Sequence, residues 1–254
     1  AAHLYYQVKQ AHQPLALATG IFAMMFLSSL VSGITCHAGL RLGTPWIDGI
    51  LDTADRAMGI DTPRLAIWLA VDSGLGQLFN LAYHSTAEIT FLVGLWLSFR
   101  GQAEQVWELG FCYVFCIIFA STFSALFPAV GAMVYHNMGD VPGLPFGAGT
   151  FHLDAIHYFR SSTNPVFDWN HVNGVVTFPS FHLVMALLIP YACRNNPLLF
   201  WITAIWAVLV AISAICIGGH YVVDLLGGAA IWAVSAWIAG RFFALPQEPT
   251  PIPA

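Results

Sequence analysis

The sequence predicts an all-α fold: a polytopic membrane protein whose six-transmembrane-helix bundle carries an interfacial amphipathic helix and a long extracytoplasmic loop. Composition is the first reason. Hydrophobic residues make up 58% of the chain and charged residues only 8%, whereas a soluble domain carries about 25% charged residues. The second reason is that six apolar stretches follow one another along the chain, and a helix needs about 20 such residues to cross a bilayer. We expect residues 14–241 to form the core of a single membrane-embedded domain.

The first span is predicted from Pro14 to about Cys36. It is interpreted as an anchor and not a signal peptide, because it has no Ala-x-Ala-like cleavage site. A helix start at Thr44-Pro45 comes next, and apolar residues then recur at helical spacing from Ile47 to Met58. Polar residues fall on the opposite side, as is typical of a helix lying at the membrane interface. They are Asp48, Asp52, Asp55 and Arg56.

The second span, from about Gln77 to Phe99, is unusually polar for a membrane helix. Asn80, His84 and Glu88 share one of its faces at positions i, i+4 and i+8. Ionisable residues in membrane helices usually face a bundle interior or a wet cavity. We expect His84 and Glu88 to support a functional site or contact a headgroup, with interhelical hydrogen bonding as the structural alternative. The apolar segment 63–71 before this span is either re-entrant or a lead-in to it.

The third span, from about Val106 to Phe127, is followed by a long Gly- and Pro-rich connection at residues 129–176 that holds most of the histidines outside the spans. Three more spans follow, at residues 179–193, 197–217 and 220–239. Residues 242–254, with four prolines after Ala244, are predicted to form an extended, disordered tail. The five cysteines all lie in or beside apolar spans, so we interpret them as small buried hydrophobes.

The basic residues indicate an orientation. Four of the eight flank short inner ends if the N-terminus is inside, and the others are spread over long outer loops, so the positive-inside rule places the long loop outside. The inner-end residues are Lys9, Arg100, Arg194 and Arg241. We expect the inner membrane of a bacterium. Because the basic residues never cluster, the sequence gives no sign of nucleic acid binding.

Two motifs carry the chemistry of the chain. Thr-Phe-Pro-Ser-Phe-His occupies residues 177–182, and Gly-Gly-His-Tyr-Val-Val-Asp occupies residues 218–224. Thr177 is the predicted N-cap of a helix with Pro179 in its first turn, which places His182 near a helix N-terminus. His220 and Asp224 are four residues apart and share a helix face. Two spans separate the motifs, so both lie on the same membrane side, where such groups can hold and attack a phosphate.

At these residues the chain resembles the type-2 phosphatidic acid phosphatase (PAP2) superfamily. The family's second block, Pro-Ser-x-His, is matched by Pro179, Ser180 and His182. Its third block, Ser-Arg-x-x-x-Gly-x-His-x-x-x-Asp, is matched at all its other fixed positions but not at the arginine, and the matching residues are Ser213, Gly218, His220 and Asp224. The two motifs look most similar to the branch containing inositol phosphorylceramide synthase-like proteins. The resemblance covers the last three spans well and the six-span layout loosely.

Two basic features of the family are missing. Ala214 stands at the position of the third-block arginine, and the first block, Lys-x6-Arg-Pro, has no counterpart, since residues 124–131 contain no basic side chain. Charge-assisted hydrogen bonds are roughly twice as strong as neutral ones, so phosphate binding loses important partners. Arg160 is the nearby basic residue that we expect to compensate by clamping two phosphate oxygens. The alternative is an arginine in solvent or lipid headgroups.

The resemblance implies a membrane lipid phosphatase or phosphotransferase. By analogy, His220 attacks phosphorus, Asp224 holds its ring, and His182 protonates the leaving alkoxide and then deprotonates the incoming water or alcohol. Ser180 and backbone N–H groups around Phe181 and Gly219 cradle the phosphate oxygens. The implied partners are a phosphorylated lipid substrate and the surrounding membrane lipids, and no metal or other cofactor is implied.

Two other classes of function stay open from the sequence. The missing basic residues favour a catalytically degenerate PAP2-like protein that serves as a structural subunit of a membrane complex. The polar second span is compatible with a transporter or metal carrier. Whether water or a lipid alcohol accepts the phosphoryl group, and whether the chain forms a homo-oligomer, does not follow from the residues.

Overall fold

In the computed structural model, residues 12–161, 167–175 and 177–243 are described, and these residues contain helices and no β-strand. Two short elements interrupt the α-helices, a π-helical turn at Trp68–Asp72 and a 3₁₀ turn at Trp169–His171. The helices, numbered along the chain, are α1 (Gln13–Leu40), α2 (Asp48–Ala57), α3 (Thr62–Ile67), α4 (Gly76–His84), α5 (Thr86–Phe99), α6 (Ala103–Leu126), α7 (Ala132–Tyr135), α8 (Leu153–Ser161), α9 (Phe181–Ala192), α10 (Pro197–Cys216) and α11 (Val222–Phe243).

Four of these helices, α1, α6, α10 and α11, are long and apolar enough to cross a membrane. The pair formed by residues 62–72 and α4 gives a fifth candidate, bent by 107° at its break. The described part of the chain therefore has four or five candidate spans, whereas the sequence predicted six. The difference arises at α5 and α9, which are apolar but only 14 and 12 residues long.

The predicted second span is divided between α4 and α5, which meet at Ser85. Helical hydrogen bonds continue through this residue, since the Ser85 N–H donates to the Leu81 carbonyl and the Ile89 N–H donates to the Ser85 carbonyl. The apolar segment before α4 is helical as well, and the sharp bend separates it from α4. The sequence left two possibilities for this segment, a re-entrant segment or a lead-in to the second span. The bend of 107° is typical of a broken span or of a re-entrant segment.

The bundle is built around α9, which packs against α5, α6, α10 and α11, while α1 lies along α6. Ile21, Leu109, Val184 and Leu188 belong to its central apolar cluster and are fully or almost fully buried. At the C-terminal end of α9, the buried carboxylate of Glu108 accepts hydrogen bonds from the Tyr191 hydroxyl and the Arg194 guanidinium. This ion pair closes the end of α9 opposite to the first motif.

The amphipathic helix predicted after the first span is α2, but its polar face is not a solvated one. Asp48 and Asp55 are completely buried, whereas Asp52 pairs with the partly exposed Arg56 at 2.8 Å. Ile50, which was expected on the apolar face, is 70% exposed. The amphipathic pattern therefore predicted the existence of this helix, but the expected start at Thr44-Pro45 is wrong, because the helix begins at Asp48. Two of its carboxylates also lie on the buried side and not on the expected solvated side.

The two buried carboxylates of α2 accept backbone hydrogen bonds from distant segments. Asp48 accepts from the N–H groups of Val130 and Gly131, both at 2.9 Å. Burial raises the pKa of the Asp48 carboxyl, and these hydrogen bonds offset part of that rise. Asp55 accepts from the N–H groups of Val222 and Val223 at 2.8 and 2.9 Å, which are unpaired donors of the first turn of α11. The helix α2 thus fixes both the loop after α6 and the start of the last helix.

The ends of the chain lie largely outside the described residues. The predicted disordered tail begins at residue 242, but α11 continues to Phe243, and residues 244–254 are not described. The five cysteines are buried and unpaired, in agreement with their interpretation as small hydrophobes.

Candidate active site

The first motif forms the start of α9. Ser180 is the N-cap, since its Oγ accepts a hydrogen bond from the Leu183 N–H at 3.4 Å, and His182 is the second residue of the helix. The expectation that Thr177 caps this helix is wrong, because the Thr177 hydroxyl donates to the Ala129 carbonyl at 3.0 Å. The helix begins later than expected, and His182 still lies in its first turn.

The second motif forms the turn between α10 and α11. Gly219 has a φ of +73°, in the left-handed region that glycine adopts without steric cost. Its carbonyl accepts a hydrogen bond from the Ala132 N–H at 2.7 Å, and the N–H of His220 donates to the Ala214 carbonyl at 3.0 Å. His220 therefore precedes α11 and is held by a rigid turn, while Asp224 lies in the first turn of α11.

The structure brings the side chains of both motifs together. The Nδ1 atom of His220 lies 3.3 Å from Oδ2 of Asp224, and its Nε2 atom lies 3.4 Å from Oγ of Ser180. The ring centroids of His182 and His220 are 6.2 Å apart, and Ser180, His220 and Asp224 are at most 1% exposed. Oδ2 of Asp224 also accepts from the Tyr221 N–H at 2.9 Å. The Asp224 carboxylate is thus fixed to the same turn that carries His220.

Both histidines line a cavity of about 270 Å³ beside this group. Its walls come from α1, α6 and the segment before α9, and the lining is mostly apolar, with polar groups from the histidines, Ser29, Ser32 and Asn173. No lysine, arginine, aspartate or glutamate is among the lining residues of the described chain. Phe181 and Gly218 line the cavity, but Gly219 does not.

The sequence alone did not assign three further residues that line this cavity. Tyr83 stacks on the His182 ring with centroids 3.9 Å apart. His37 donates from Nδ1 to the Gly33 carbonyl at 2.6 Å, and His152 donates from Nε2 to the Val130 carbonyl at 2.8 Å. Burial lowers the pKa of His152, and the neighbouring His220 lowers it further. For His152, the signal in the sequence was the concentration of histidines in the long connection. That concentration does not indicate which of these histidines lines the cavity.

Arg160 does not lie among these residues, contrary to expectation. Its Nη2 donates to the Thr44 carbonyl at 2.6 Å, and its guanidinium carbon lies 3.8 Å from the centroid of the Trp46 ring. It lines a separate pocket of about 300 Å³. By stacking on the indole and donating to the backbone, Arg160 connects α8 to the segment before α2.

His84 and Glu88 are exposed on the helices that carry them, so neither faces the bundle interior, as ionisable residues of membrane helices usually do. The His84 ring lies 5.3 Å from the Tyr83 ring and 6.0 Å from the Phe151 ring, centroid to centroid. His84 is therefore next to the residue that stacks on His182, but it is not among the residues lining the cavity. The structure records no hydrogen bond between the Glu88 side chain and another described residue.

The described residues form an all-helical protein of several apolar helices, in which two histidines line one cavity and a serine and a carboxylate contact one of these histidines. A sequence profile of the PAP2 superfamily matches residues 50–238, which include all four of these site residues. The chain belongs to the PAP2 superfamily. No curated protein and no solved structure matches it. Within the described residues, no group of three or more histidine, cysteine, aspartate or glutamate side chains is arranged to hold a metal ion.

Proposed function

We propose that this protein is a membrane lipid phosphatase or phosphotransferase that works through a phosphohistidine on His220. The observation that carries the proposal is the placement of the two nitrogens of the His220 ring. Nδ1 faces the buried Asp224 carboxylate, and Nε2 faces Ser180 in a ring that lines the cavity. An oriented histidine with a carboxylate behind it is the arrangement that activates a ring nitrogen as a nucleophile.

In the first step the lone pair of Nε2 attacks phosphorus. The bond between Nε2 and phosphorus forms, the bond between phosphorus and the ester oxygen breaks, and the electron pair stays on that oxygen. Asp224 stabilises the charge that develops on the His220 ring through Nδ1–H. Ser180, whose hydroxyl lies beside Nε2, is positioned to donate to a phosphate oxygen once the nucleophile is engaged.

His182 is the proton donor for the leaving oxygen and the proton acceptor for the incoming water or alcohol. Neither of its ring nitrogens has a hydrogen-bond partner recorded among the described residues, and stacking on Tyr83 fixes the ring plane. The ring centroids of His182 and His220 are 6.2 Å apart, which is close enough for one phosphate beside the two rings to contact both. In the second step water or a lipid alcohol attacks phosphorus, and the bond to Nε2 breaks.

The substrate and membrane placement complete the proposal. Apolar side chains such as Ile117, Phe181 and Val175 line the cavity next to the histidines, and this arrangement suits a phosphorylated lipid. We assign the chain to the inositol phosphorylceramide synthase-like branch, because its two sequence motifs are most similar to those of that branch. We place the site at the extracytoplasmic face of a bacterial inner membrane, because single basic residues lie beside the short segments at the opposite ends of the helices. In this assignment α4 with α5 and the short α9 are the second and fourth of six spans.

The test is to trap the intermediate. Purified protein in detergent is mixed with phosphatidic acid carrying ³²P in its phosphate, the reaction is quenched in alkali, and the label is mapped by peptide. We expect label on His220, no label in His220→Ala, and a loss of orders of magnitude in the rate of labelling in Asp224→Asn. His157→Ala is the control, because His157 is an exposed histidine of the long connection. Label on His182 or on a serine contradicts the assignment.

A second candidate is a PAP2-like subunit without catalytic activity. The cavity lining supports it, because the part of it that the structure describes has no lysine or arginine to neutralise a phosphate. This candidate is favoured over the enzyme if the protein turns over no phosphorylated lipid and associates stably with another membrane protein.

A further inference from the structure

The cavity holds four histidines, and two of them have no role in the proposed reaction. His37, His152, His182 and His220 all line it. The other titratable lining groups are the thiol of Cys36 and the phenol of Tyr83. A phosphate in this cavity has no lysine or arginine next to it in the described chain, so its charge has to be balanced in another way.

The segment that carries His152 is attached to the turn that carries His220. The N–H of Gly149 donates to the Ile217 carbonyl at 2.6 Å, and Gly149 and Gly219 pack backbone against backbone. His152 follows three residues later and is only 4% exposed. Its position beside the cavity is therefore set by the same turn that positions the proposed nucleophile.

The hydrogen bond of His152 determines which of its nitrogens carries the proton. The Val130 carbonyl can only accept, so Nε2 is the donor, and the Val130 N–H is itself held by Asp48 at 2.9 Å. A neutral His152 therefore has its lone pair on Nδ1. No hydrogen bond to this Nδ1 is recorded from any described residue. By contrast, His37 uses both nitrogens, since Nδ1 bonds to Gly33 and Nε2 accepts from the Asn173 N–H at 3.4 Å.

Resting on the proposed function of the site, we propose that His152 is a phosphate-binding residue that takes up a proton at Nδ1 when a phosphate enters and then donates it as a charge-assisted hydrogen bond. His152 would then take the place of the basic side chains that the family motifs lead one to expect and that the chain lacks. Burial lowers the pKa of His152 and so favours its neutral form, whereas the negative charge of a bound phosphate favours the imidazolium. Phosphate binding is therefore coupled to proton uptake.

The experiment measures binding of decylphosphonate, a non-hydrolysable analogue with one apolar chain, to the full-length protein in detergent. Calorimetry at about pH 8.5, above the ordinary histidine pKa, is run in buffers of different ionisation enthalpy, which gives the number of protons taken up. Wild type is expected to take up about one proton per ligand. His152→Gln keeps a donor in place of Nε2 for the Val130 carbonyl but cannot become charged, so we expect it to lose the proton uptake and to bind about 10- to 100-fold more weakly.

His37→Gln is the control, because His37 lines the same cavity with both nitrogens already bonded, and its affinity and proton uptake are expected to match wild type. Wild-type binding without proton uptake overturns the inference even if His152→Gln does not fold. Equal affinity and equal proton uptake in wild type and His152→Gln also overturn the inference. If His220 is still labelled with ³²P in that case, the proposed function is retained and only the role of His152 is lost. A wild type that neither binds decylphosphonate nor forms the labelled intermediate overturns both.

Discussion

Replacing Asp55 with asparagine tests whether α2 holds the start of the last helix. The Asp55 carboxylate accepts two backbone hydrogen bonds from α11 and one from the hydroxyl of Thr62, and it is completely buried. A hydrogen bond to a charged group contributes about 1.5–3 kcal/mol. An asparagine keeps one acceptor oxygen and turns an NH₂ toward donors. We therefore expect a loss of about 2–4 kcal/mol, more than the roughly 1 kcal/mol of an ordinary N-cap substitution, because water does not reach the site.

The loss is measured as a melting temperature. All five cysteines are buried, so a dye that fluoresces on reaction with thiols reports unfolding in detergent. A loss of about 2–4 kcal/mol corresponds to a decrease of roughly 5–15 °C for a chain of this size. Asp52→Asn is the matched control in the same helix, because Asp52 is partly exposed and pairs at the surface, where ion pairs contribute little. Equal melting temperatures for the two variants refute the capping role of Asp55.

Three further outcomes are expected in the same assay. Gly228→Ala lowers the melting temperature by about 3–10 °C, since a Cβ at residue 228 would lie 2.4 Å from the Ser180 carbonyl oxygen. Gly240→Ala, which has open space around it, is the control and leaves the melting temperature unchanged. Equal melting temperatures for the two variants contradict the close packing of α11. Arg160→Lys lowers the melting temperature and leaves ³²P labelling of His220 intact, because its guanidinium stacks away from the cavity; lost labelling in a stable variant contradicts this placement. Because burial lowers the pKa of His152, the unfolded chain binds more protons below about pH 6.5, so stability falls as pH decreases through that range, and less steeply in His152→Gln. A pH dependence unchanged in His152→Gln contradicts the burial of a neutral His152.

The all-helical class of the fold and the proximity of the two motifs follow from the sequence because they depend on local patterns. Apolar length predicts membrane helices, and α1, α6, α10 and α11 are the stretches in which it is greatest. The His220–Asp224 contact depends on a spacing of four residues, which the turn and the first turn of α11 preserve. The number of spans was predicted less well, since six were expected and the described residues have four or five candidates. The helix α9 has only 12 residues, and its central position depends on packing with four other helices.

The errors concern contacts between distant parts of the chain. An amphipathic pattern assigns acidic residues to water, but Asp48 and Asp55 bond to backbone groups 82 to 168 residues away, and no local period contains that information. The same reason applies to the long connection, where tertiary packing sends Arg160 to Trp46 and turns His152 toward the cavity. Choosing between two polar residues in one loop requires knowledge of the surface on which the loop folds.

The contact between Asp55 and the first turn of α11 joins parts of the chain that leave the ribosome at different times. Asp55 and Val222 are 167 residues apart, and at about 5–20 residues per second the interval takes roughly 10 to 30 s to synthesise. Until then the Asp55 carboxylate lacks its two donors from α11, and burying a carboxylate without its partners is strongly unfavourable. We therefore expect α2 to take up its final position only after the last helix has been made. Asp224, the partner of His220, lies in this same last helix, so the group around His220 is complete only after synthesis has passed residue 224.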